Sequence, residues 1–552
     1  MLRACGPPVA WDTTCFMPTT LDALHRAVQR HQAGDFAAAG VLYEQILAAE
    51  PEHADALHLL GLVRRKEGRL LESEALIRKA ITLTAPAMRP VMAGNLGNVL
   101  VDQGRHREAA HLFRQSAEAM PADTDLLLKL GNSLWVSQLY PEAIAVYRRA
   151  ITLCPDKADF FFNIGVAWQR QGQQAKAESA FRDTLRLDPR HVAAWNSLGT
   201  VLRRQGRLEE AVAAHRAGLA VNPQDWETHK CLGLTLLLKG DYTAGFRHYE
   251  ERRKTEEGRT IELPLPEWEG DPLGERTLLI HAEQGLGDTL NFIRYAPLVR
   301  QNYGGRVLFG CPAPLQRLLA PLPGIDALIP FGAKLPPFDV HVPLLSLPRL
   351  MGTTVETIPP PDPPLAAAAT EIAAWKERLG PRREALRVGV VWSGNPDFKN
   401  NRFRSPGLES FWPLFDLPDI RFYVLQKGGG RAALEGRTLP DSCVDLDPWL
   451  QDFADTAAAV ANLDLVISMC TSVAHLCGAM RHPVWVLLSS TPDWRWLLER
   501  HDSPWYPSAR LFRQPHGESW LPVMAAVRTA LQEETSGRTS PASPPRPPQA
   551  PP

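Results

Sequence analysis

Residues able to do chemistry are concentrated at a turn near the middle of the chain, Gly285-Leu286-Gly287-Asp288. A short apolar run, Thr277 to Ala282, precedes the turn, and a helical pattern from Thr289 to about Val299 follows it. This order predicts a strand, a tight turn and a helix. Two glycines and a carboxylate would then lie at the carboxyl end of a strand, where open α/β sheets bind their ligands.

Four further groups of polar residues each follow a predicted strand in the last third of the chain. They are Asn395 with Lys399, Arg402 and Arg404; Gln426 with Lys427; Thr471 with Ser472 and His475; and Pro492-Asp493-Trp494-Arg495-Trp496. A helix start with free N–H groups, beside hydroxyls and cations, is what a pyrophosphate needs. Each group also has a simpler interpretation, namely a solvated loop, a helix cap, a packed histidine or buried tryptophans.

The elements that must position these groups form a βαβ series, because short apolar segments alternate with helical patterns from Leu263 onward. Strands are predicted at 277–282, 306–310, 388–392, 421–425, 465–468 and 484–488, and helices at 371–379 and 520–532. A proline-rich segment, 358–364, is interpreted as the hinge between two domains. Two such domains would face each other across a cleft between strand ends.

The first half of the chain is repetitive, and glycines, alanines, aromatic residues and prolines recur in one phase. The glycines Gly97, Gly131, Gly165, Gly199 and Gly233 are spaced by 34 residues. Each would let a second helix approach closely, with an alanine meeting it, while the aromatic residue fills the space between units. A further glycine forms each turn, except that Gln138 replaces it once. Two extra residues lie near Ala85-Pro86-Ala87.

These repeats resemble the tetratricopeptide repeat family over residues 20–258, as about seven units. The resemblance implies a superhelix whose concave groove holds an extended peptide. Asparagines on the first helices could bond a peptide backbone, although a simply solvated role is the alternative. They are Asn95, Asn98, Asn132, Asn163 and Asn196. Because Lys129, Ser197 and Cys231 interrupt the row, a continuous asparagine track is not expected.

Residues 260–530 resemble the heptosyltransferase-related glycosyltransferases of family 9, in the form often fused to tetratricopeptide repeats in bacteria. The resemblance lies in the Gly285-Leu286-Gly287-Asp288 turn, Val391-Trp392-Ser393-Gly394-Asn395-Pro396, Gln426-Lys427-Gly428, Phe453-Ala454-Asp455-Thr456-Ala457, Thr471-Ser472-Val473-Ala474-His475-Leu476 and Pro492-Asp493-Trp494-Arg495-Trp496. It implies a GT-B fold of two Rossmann-like domains, a nucleotide-sugar donor held mainly by the second domain, and no metal. The layout is also similar to the protein O-GlcNAc transferases of family 41.

By this resemblance Asp288 is the general base that deprotonates the acceptor hydroxyl. The donor-binding residues would be Gly285, Gly287, Asn395, Lys399, Arg402, Arg404, Gln426, Lys427, Thr471, Ser472 and His475. The family motif usually has an aspartate where this chain has Cys470, so either a neighbour substitutes for that carboxylate or donor handling is weakened. Cys470 and Cys477 are interpreted as small buried residues on one helix face.

The net charge and composition of the chain indicate which classes of protein are expected. A net charge of -1 gives no attraction to nucleic acid or acidic membranes, and no apolar run is long enough to span a bilayer. Eight scattered cysteines and a start without signal-peptide character indicate a soluble cytoplasmic protein with reduced thiols. The 49 prolines cluster in the middle and at the end, and residues 536–552 are expected to be a disordered tail.

The predicted fold class is an α-solenoid followed by an α/β GT-B fold. The expected order is an N-terminal extension (1–19), repeats (20–258), an acceptor-side domain (259–365), a nucleotide-sugar domain (366–535) and the tail. The predicted activity is a metal-independent, inverting transfer of a sugar from a nucleoside diphosphate to an acceptor recruited by the repeats. The expected partners are the nucleotide-sugar and a protein or peptide, with no cofactor.

Two alternatives stay open. One is a repeat scaffold whose transferase half binds nucleotide without turnover, as the cysteine at position 470 suggests. The other is a dinucleotide oxidoreductase, which is disfavoured because no third glycine follows the Gly285 turn at the required spacing and an acid stands where amides should meet phosphate.

Overall fold

The computed structural model describes residues 20–254, 263–382, 384–395 and 401–539, with the backbone alone at 402, 403 and 537–539. The N-terminal extension (1–19) and the last part of the tail (540–552) lie outside the described residues. Contacts divide the chain into two compact units, Met1–Pro189 and Arg190–Pro552. The last repeats therefore share a unit with the α/β part, whereas the sequence pattern placed a boundary near 258.

The repeats form antiparallel helix pairs, and their helices have the following bounds. The first unit contains α1 (Thr20–Gln32), α2 (Phe36–Ala49), α3 (Ala54–Lys66), α4 (Leu70–Leu83), α5 (Arg89–Asp102), α6 (His106–Ala119), α7 (Thr124–Val136), α8 (Tyr140–Leu153), α9 (Ala158–Arg170) and α10 (Gln174–Leu187). The second unit opens with α11 (Val192–Arg204), α12 (Leu208–Val221), α13 (Trp226–Lys239) and α14 (Tyr242–Tyr249). The two extra residues of the repeat pattern lie at a short 3-10 turn of three residues, Pro86–Met88.

In several repeats the glycine inside the first helix is required by a ring of the second helix, whereas Gly61 faces Ile77 instead. A side-chain carbon at Gly131 would lie 2.3 Å from the ring of Tyr147, and one at Gly97 would lie 2.7 Å from Phe113. The prediction of a close approach is therefore correct. The partner was assigned wrongly, because the ring rather than the alanine covers the glycine.

The turns between paired helices need a left-handed residue. Gly34, Gly68 and Gly104 adopt φ values of 80°, 78° and 76°. Gln138 adopts φ 64° in the unit that lacks the glycine, so the connection keeps its geometry at the cost of a strained side-chain-bearing residue.

Two parallel sheets form the α/β part of the second unit. The first contains β1 (Gly274–His281), β2 (Gly304–Cys311), β3 (Ala327–Pro330) and β4 (Val340–Pro343), in the order β3-β2-β1-β4. The second contains β5 (Leu386–Val391), β6 (Ile420–Val424), β7 (Cys443–Asp445), β8 (Leu465–Met469), β9 (Val484–Leu488) and β10 (Ala509–Arg513), in the order β10-β9-β8-β5-β6-β7.

Short helices connect these strands. They are α15 (Leu286–Phe292), α16 (Tyr295–Tyr303), α17 (Gln316–Leu319), α18 (Leu347–Leu350), α19 (Ala369–Leu379), α20 (Asn401–Arg404), α21 (Leu408–Phe411), α22 (Phe453–Val460) and α23 (Ser472–Ala479). A longer final helix, α24 (Leu521–Thr539), follows β10. In the part of the chain that the structure describes, no helix is both long and apolar enough to cross a bilayer.

The strand order determines where ligands can bind. In the second sheet the strand order runs outward in opposite directions from the neighbouring strands β5 and β8. In the first sheet the same reversal of strand order occurs between β1 and β4. Such reversal points leave a crevice at the carboxyl ends of the two central strands. The segments after β1, β5 and β8 carry the predicted site residues, so the α/β expectation is confirmed at this level.

Apolar packing covers both faces of the second sheet. Val390 and Ile467 belong to a core closed by α24, while Val466 and Val486 belong to a larger core on the other face. That larger core also contains Leu237 of α13, so the last repeat is part of it.

Some element bounds differ from the sequence pattern. The helix expected after the Gly285 turn is divided into α15 and α16. Two strands were not anticipated, namely β7, which is only 3 residues long, and β10. The final helix reaches Thr539, past the predicted start of the tail at 536, since the Ser536 hydroxyl still bonds the Gln532 carbonyl oxygen at 2.8 Å.

A methyl group at position 131 tests the glycine–ring contact. We expect Gly131→Ala to destabilise the first unit by about 1–3 kcal/mol, because the added carbon collides with Tyr147. Denaturant unfolding followed by circular dichroism measures this change. The matched control is Gly94→Ala, whose added carbon would lie 3.6 Å from the Ser116 hydroxyl. The control should be neutral or stabilising, and equal losses in both variants would contradict the interpretation.

Candidate functional site

The carboxylate of Asp288 lies in the first turn of α15, directly after the turn that follows β1. Its Oδ2 accepts the backbone N–H of Gly285 at 3.1 Å, which fixes the carboxylate against its own helix. Gln284 begins the turn in the left-handed region with φ 59°. Its side-chain amide donates to the Tyr249 hydroxyl at 3.2 Å, so the last repeat helps to hold the turn.

A single arginine connects this carboxylate to the second sheet. Arg495 follows β9 and donates through Nη2 to Oδ1 of Asp288 at 2.5 Å, and through Nη1 to Oδ1 of Asp493 at 2.9 Å. Its side chain is only 5% exposed and lies on the ring of Trp494, with 4.4 Å between Cζ and the ring centroid. Arg495 stands in a segment that the sequence highlighted, but its contact with Asp288 spans 207 residues and had no local signal.

The two carboxyl groups on Arg495 differ in proton affinity. Burial and the neighbouring charge of Asp493 raise the pKa of Asp288, although Arg495 opposes the rise. For Asp493, burial acts in the same direction but the Arg495 charge outweighs it, and the pKa falls below its usual range. Asp288 is therefore the better proton acceptor of the pair, which is the property that a general base needs.

His475 is packed rather than open. Its Nδ1 lies 2.9 Å from the Tyr506 hydroxyl, and its ring stacks on Trp496 with 5.5 Å between centroids. Burial, together with the charge of Arg495, lowers the pKa of His475 to about 3. The imidazole is thus neutral near pH 7 and contributes shape and a hydrogen bond rather than positive charge.

Gly287 lets the two sheets approach each other. A side-chain carbon there would lie 2.9 Å from Cδ2 of His475 and 3.5 Å from the Cα of Ser472. The start of α15 therefore packs directly on the start of α23. This contact brings Asp288 beside the helix that the sequence proposed for phosphate binding.

The N-terminus of α23 is not capped by its own threonine. Thr471 Oγ1 lies 3.0 Å from the Ser468 hydroxyl and makes no side-chain cap bond, and Thr471 and Ser472 are both partly exposed. Just before it, Cys470 Sγ accepts the indole N–H of Trp496 at 3.1 Å. Burial raises the pKa of the Cys470 thiol to about 11, so this position carries no charge near pH 7. Cys470 precedes the helix and does not share a helix face with Cys477, contrary to the sequence interpretation.

The side chains of Gln426 and Lys427 bind strand ends and loops of the second sheet. The Gln426 side-chain oxygen accepts the N–H groups of Trp392 and Ser393 at 3.1 and 2.9 Å, which joins the ends of β5 and β6. Lys427 Nζ donates to the Leu450 carbonyl oxygen at 2.8 Å and pairs with Asp447 at 2.8 Å. The side chains of Gln426 and Lys427, which were predicted to contact the nucleotide-sugar, therefore bind loops of the protein itself.

The basic loop after β5 is described only in part. Lys399 lies outside the described residues, and so does the side chain of Arg402. Arg404 lies over Gly394, since a side-chain carbon on that glycine would be 2.7 Å from Nη2. Arg404 follows β5, which pairs with β8, the strand that leads into α23. Asn395 is exposed at the same strand end.

The predicted groove asparagines have varied surroundings. Asn95 lies 3.0 Å from His58, and Asn132 accepts the Tyr147 hydroxyl at 2.7 Å. Asn98 and Asn163 are partly buried in the same unit. Asn196 belongs to the second unit, where its side-chain oxygen is buried without a hydrogen-bond partner among the described residues. Most of them thus support their own repeats or are shielded.

A buried ion pair joins the end of the repeats to the first sheet. Arg252 Nη2 donates to Glu283 Oε1 at 2.6 Å, and the two side chains are 1% and 4% exposed. The same arginine donates to Ser346 at 3.1 Å, and Glu283 also accepts the Leu345 N–H at 3.1 Å. Because Glu283 follows β1 and Leu345 follows β4, the pair lies at the crevice of the first sheet.

The last repeat also contacts the second sheet. Tyr242 of α14 accepts the indole N–H of Trp505 at 2.9 Å, and its ring meets Trp494 edge-on with 5.6 Å between centroids. Trp494 and Trp496 are both buried, so they pack the core as the simpler interpretation of that segment held. Among the described residues, no cluster of three or more His, Cys, Asp or Glu side chains forms a metal-binding group.

Comparisons with known proteins confirm the repeats. A tetratricopeptide repeat model matches residues 30–87, and the model of the C-terminal domain of cilia and flagella-associated protein 70 matches residues 78–244. A relative, protein FlbA of Caulobacter vibrioides, is 27% identical over 332 residues, which is 54% of each chain. The present chain thus spans about half the length of this curated relative.

Several solved structures of repeat proteins resemble part of the chain. YrrB, described as a tetratricopeptide repeat protein with an unusual peptide-binding site, is 20% identical over 32% of this chain and 89% of its own, with a TM-score of 0.30. The C-terminal part of a repeat protein from Cytophaga hutchinsonii is 12% identical over 42% of this chain and 95% of its own, with a TM-score of 0.37. MamA is 21% identical over 30% and 95%, with a TM-score of 0.27.

Removing the bridging arginine should be costly. We expect Arg495→Met to destabilise the second unit by about 3–5 kcal/mol, because two carboxylates lose their shared buried cation. Thermal or denaturant unfolding measures the loss. The control is Arg500→Met, which removes an ion pair to Asp502 with side chains 41% and 63% exposed. That change should cost about 0–1 kcal/mol, and similar effects in both variants would refute a special role for Arg495.

The pKa of His475 predicts a pH effect on stability. Below its ordinary value of 6.5 the unfolded chain takes up a proton, whereas the folded imidazole stays neutral down to about pH 3. The free energy of unfolding therefore decreases as the pH is lowered from about 6.5 to about 3. For this one group the decrease is up to about 1.4 kcal/mol per pH unit. His475→Gln should make the acid limb shallower by that amount in unfolding experiments across the window. An unchanged slope would contradict the assignment.

Proposed function

We propose that this protein is a metal-independent, inverting glycosyltransferase of the GT-B type, which moves a sugar from a nucleoside diphosphate to a polypeptide recruited by its repeats. The main support is one observation: Asp288, at a strand end of the first sheet, lies against the start of α23 and against Arg495, both at strand ends of the second sheet. A proton acceptor and groups suited to a leaving anion are thereby adjacent.

The proposed chemistry uses these groups directly. Asp288 takes the proton of the acceptor hydroxyl as that oxygen attacks the anomeric carbon, and the bond to the diphosphate breaks. The carboxylate has lone pairs left for the hydroxyl, because each of its oxygens accepts one hydrogen bond from the protein. The departing negative charge would meet the first amides of α23, the Thr471 hydroxyl and the Arg404 guanidinium.

Arg495 has a positioning role in this proposal. It holds Asp288 at a fixed angle and offsets the rise in pKa that burial causes. Without this cation, a buried carboxyl would take up a proton more readily and would be a poorer base at neutral pH.

A second candidate is a repeat scaffold whose α/β part binds nucleotide without turnover. Two observations favour it. Position 470 holds an uncharged thiol bonded to the Trp496 indole, and Lys427 is fully engaged with the loop that contains Asp447. Both leave less charge for a donor than the sequence pattern suggested.

Donor hydrolysis distinguishes the two candidates without knowledge of the acceptor. The full chain is incubated with UDP-, GDP- and ADP-sugars, and release of the free nucleoside diphosphate is measured. We expect turnover with at least one donor, and we expect Asp288→Asn to lower it by about 10²–10⁴-fold. Thermal unfolding of each variant shows whether the fold is retained.

Asp441→Asn is a matched control, since Asp441 is an exposed carboxylate in the turn before β7. It should leave turnover unchanged. Nucleotide-sugar binding without release of a product would favour the scaffold, and full activity of Asp288→Asn would reject Asp288 as the base.

A further inference from the structure

A relay of four hydrogen bonds leads from the proposed base, Asp288, to the imidazole of His475. Arg495 bonds Asp288 at 2.5 Å and, through Nε, the side-chain oxygen of Asn291 at 3.3 Å. The amide nitrogen of Asn291 lies 2.6 Å from the Tyr506 hydroxyl, which in turn lies 2.9 Å from Nδ1 of His475. Asn291 and Tyr506 are fully buried, so they can act only through the side chains that they bond.

The direction of these bonds follows from the groups that can only donate. A guanidinium has no acceptor, so the Asn291 atom that faces Arg495 is the side-chain oxygen. The amide NH2 of Asn291 must then donate to the Tyr506 oxygen. Arg294, which also acts on the Tyr506 hydroxyl, likewise can only donate. The single proton of that hydroxyl is therefore left for Nδ1 of His475.

This direction determines the tautomer of the imidazole. His475 is neutral near pH 7 because its pKa is lowered to about 3, so the ring carries one proton. Since Nδ1 accepts the proton of Tyr506, the ring proton lies on Nε2. A neutral imidazole without such partners can carry its proton on either nitrogen. Asn291 and Tyr506 therefore decide whether Nε2 donates or accepts a hydrogen bond.

Nε2 lies on the side of the ring that faces the turn with the proposed base. Its bonded neighbour Cδ2 would be 2.9 Å from a side-chain carbon on Gly287, whereas Nδ1 faces Tyr506. Nε2 makes no hydrogen bond within the residues that the structure describes, and 6% of the surface of His475 stays exposed. The ring stands one turn after Thr471, whose carbonyl oxygen accepts the His475 N–H at 3.2 Å. Nε2 is thus close to the groups proposed to meet the departing diphosphate.

We propose that Asn291 and Tyr506 are positioning residues that hold His475 in the Nε2–H tautomer, so that the ring donates a hydrogen bond to an oxygen of the leaving diphosphate. In the opposite tautomer, a lone pair on Nε2 would face the anion and repel it. The inference deepens the proposed function and rests on it for the identity of the anion. The tautomer itself depends on neither ligand nor turnover.

Nuclear magnetic resonance of the imidazole nitrogens measures the tautomer directly. The full chain is isotopically labelled in its histidines, and the His475 signals are identified by their loss in His475→Gln. At neutral pH we expect Nδ1 to have the chemical shift of an unprotonated nitrogen and Nε2 that of an N–H.

Two variants of nearly unchanged shape test the relay. Asn291→Asp should invert the tautomer, because a carboxylate at this position accepts the Tyr506 proton and Nδ1 must then donate to the hydroxyl oxygen. Tyr506→Phe should give a mixture of both tautomers. Tyr295→Phe is the matched control, since the buried Tyr295 hydroxyl bonds Thr353 at 2.9 Å and lies outside the relay. It should leave the tautomer as in the wild type.

Calorimetric binding of UDP, GDP and ADP tests the role of the tautomer without turnover. We expect Asn291→Asp to weaken the best-bound nucleotide at least about tenfold. Tyr506→Phe adds no charge and should weaken it about two- to fivefold, because only part of the population loses the donor. Thermal unfolding shows that the variants are folded, and an inverted tautomer cannot arise from misfolding.

Three results would overturn the inference. They are a protonated Nδ1 in the wild type, a wild-type tautomer in both relay variants, and unchanged nucleotide affinity in a variant whose tautomer is inverted. Failure of the wild type to bind any of the three nucleotides would instead reject the proposed function, and the resonance measurement alone would then decide whether Asn291 and Tyr506 position the ring.

Discussion

The Arg495 guanidinium is the interaction on which the candidate site depends. It is buried on the Trp494 ring and bonds one carboxylate from each sheet, Asp288 and Asp493. Because a buried arginine stays charged, it sets the protonation of both acids and the distance between the strand ends. The strand ends can come this close because Gly287 has no side chain to collide with His475.

Much of the fold was predictable because the glycines and apolar residues recur at regular spacings along the chain. The phase of the glycines predicted the helix pairs, and even the odd unit with Gln138 keeps the left-handed turn. Apolar runs predicted most of the parallel strands. The misses are elements too short for a period, such as β7, and the break between α15 and α16. Which ring covers a given glycine could also not be predicted, because this contact is seen only once the helices are packed together.

The site was predictable as a set of strand ends, but not as a set of contacts. The sequence predicted that Asp288 and Thr471 follow strands of the two sheets, and both do so in the structure. It could not show that Gln426 and Lys427 contact the loops of their own sheet. Arg495 was missed as a site residue because its importance comes from Asp288, a neighbour far away in sequence, and no spacing rule reports such a neighbour. The roles of the predicted donor residues stay predictions.

The ion pair of Arg252 with Glu283 has a consequence for the way such chains can be recombined. A cut near residue 258, where the repeat pattern ends, would fall inside the second compact unit, which begins at Arg190. Removing everything before the first sheet would leave Glu283 a buried charge without its cation, beside the strand ends of β1 and β4. Any chimaera that keeps the two sheets would therefore also have to keep the helices from α11 to α14, which belong to the same compact unit.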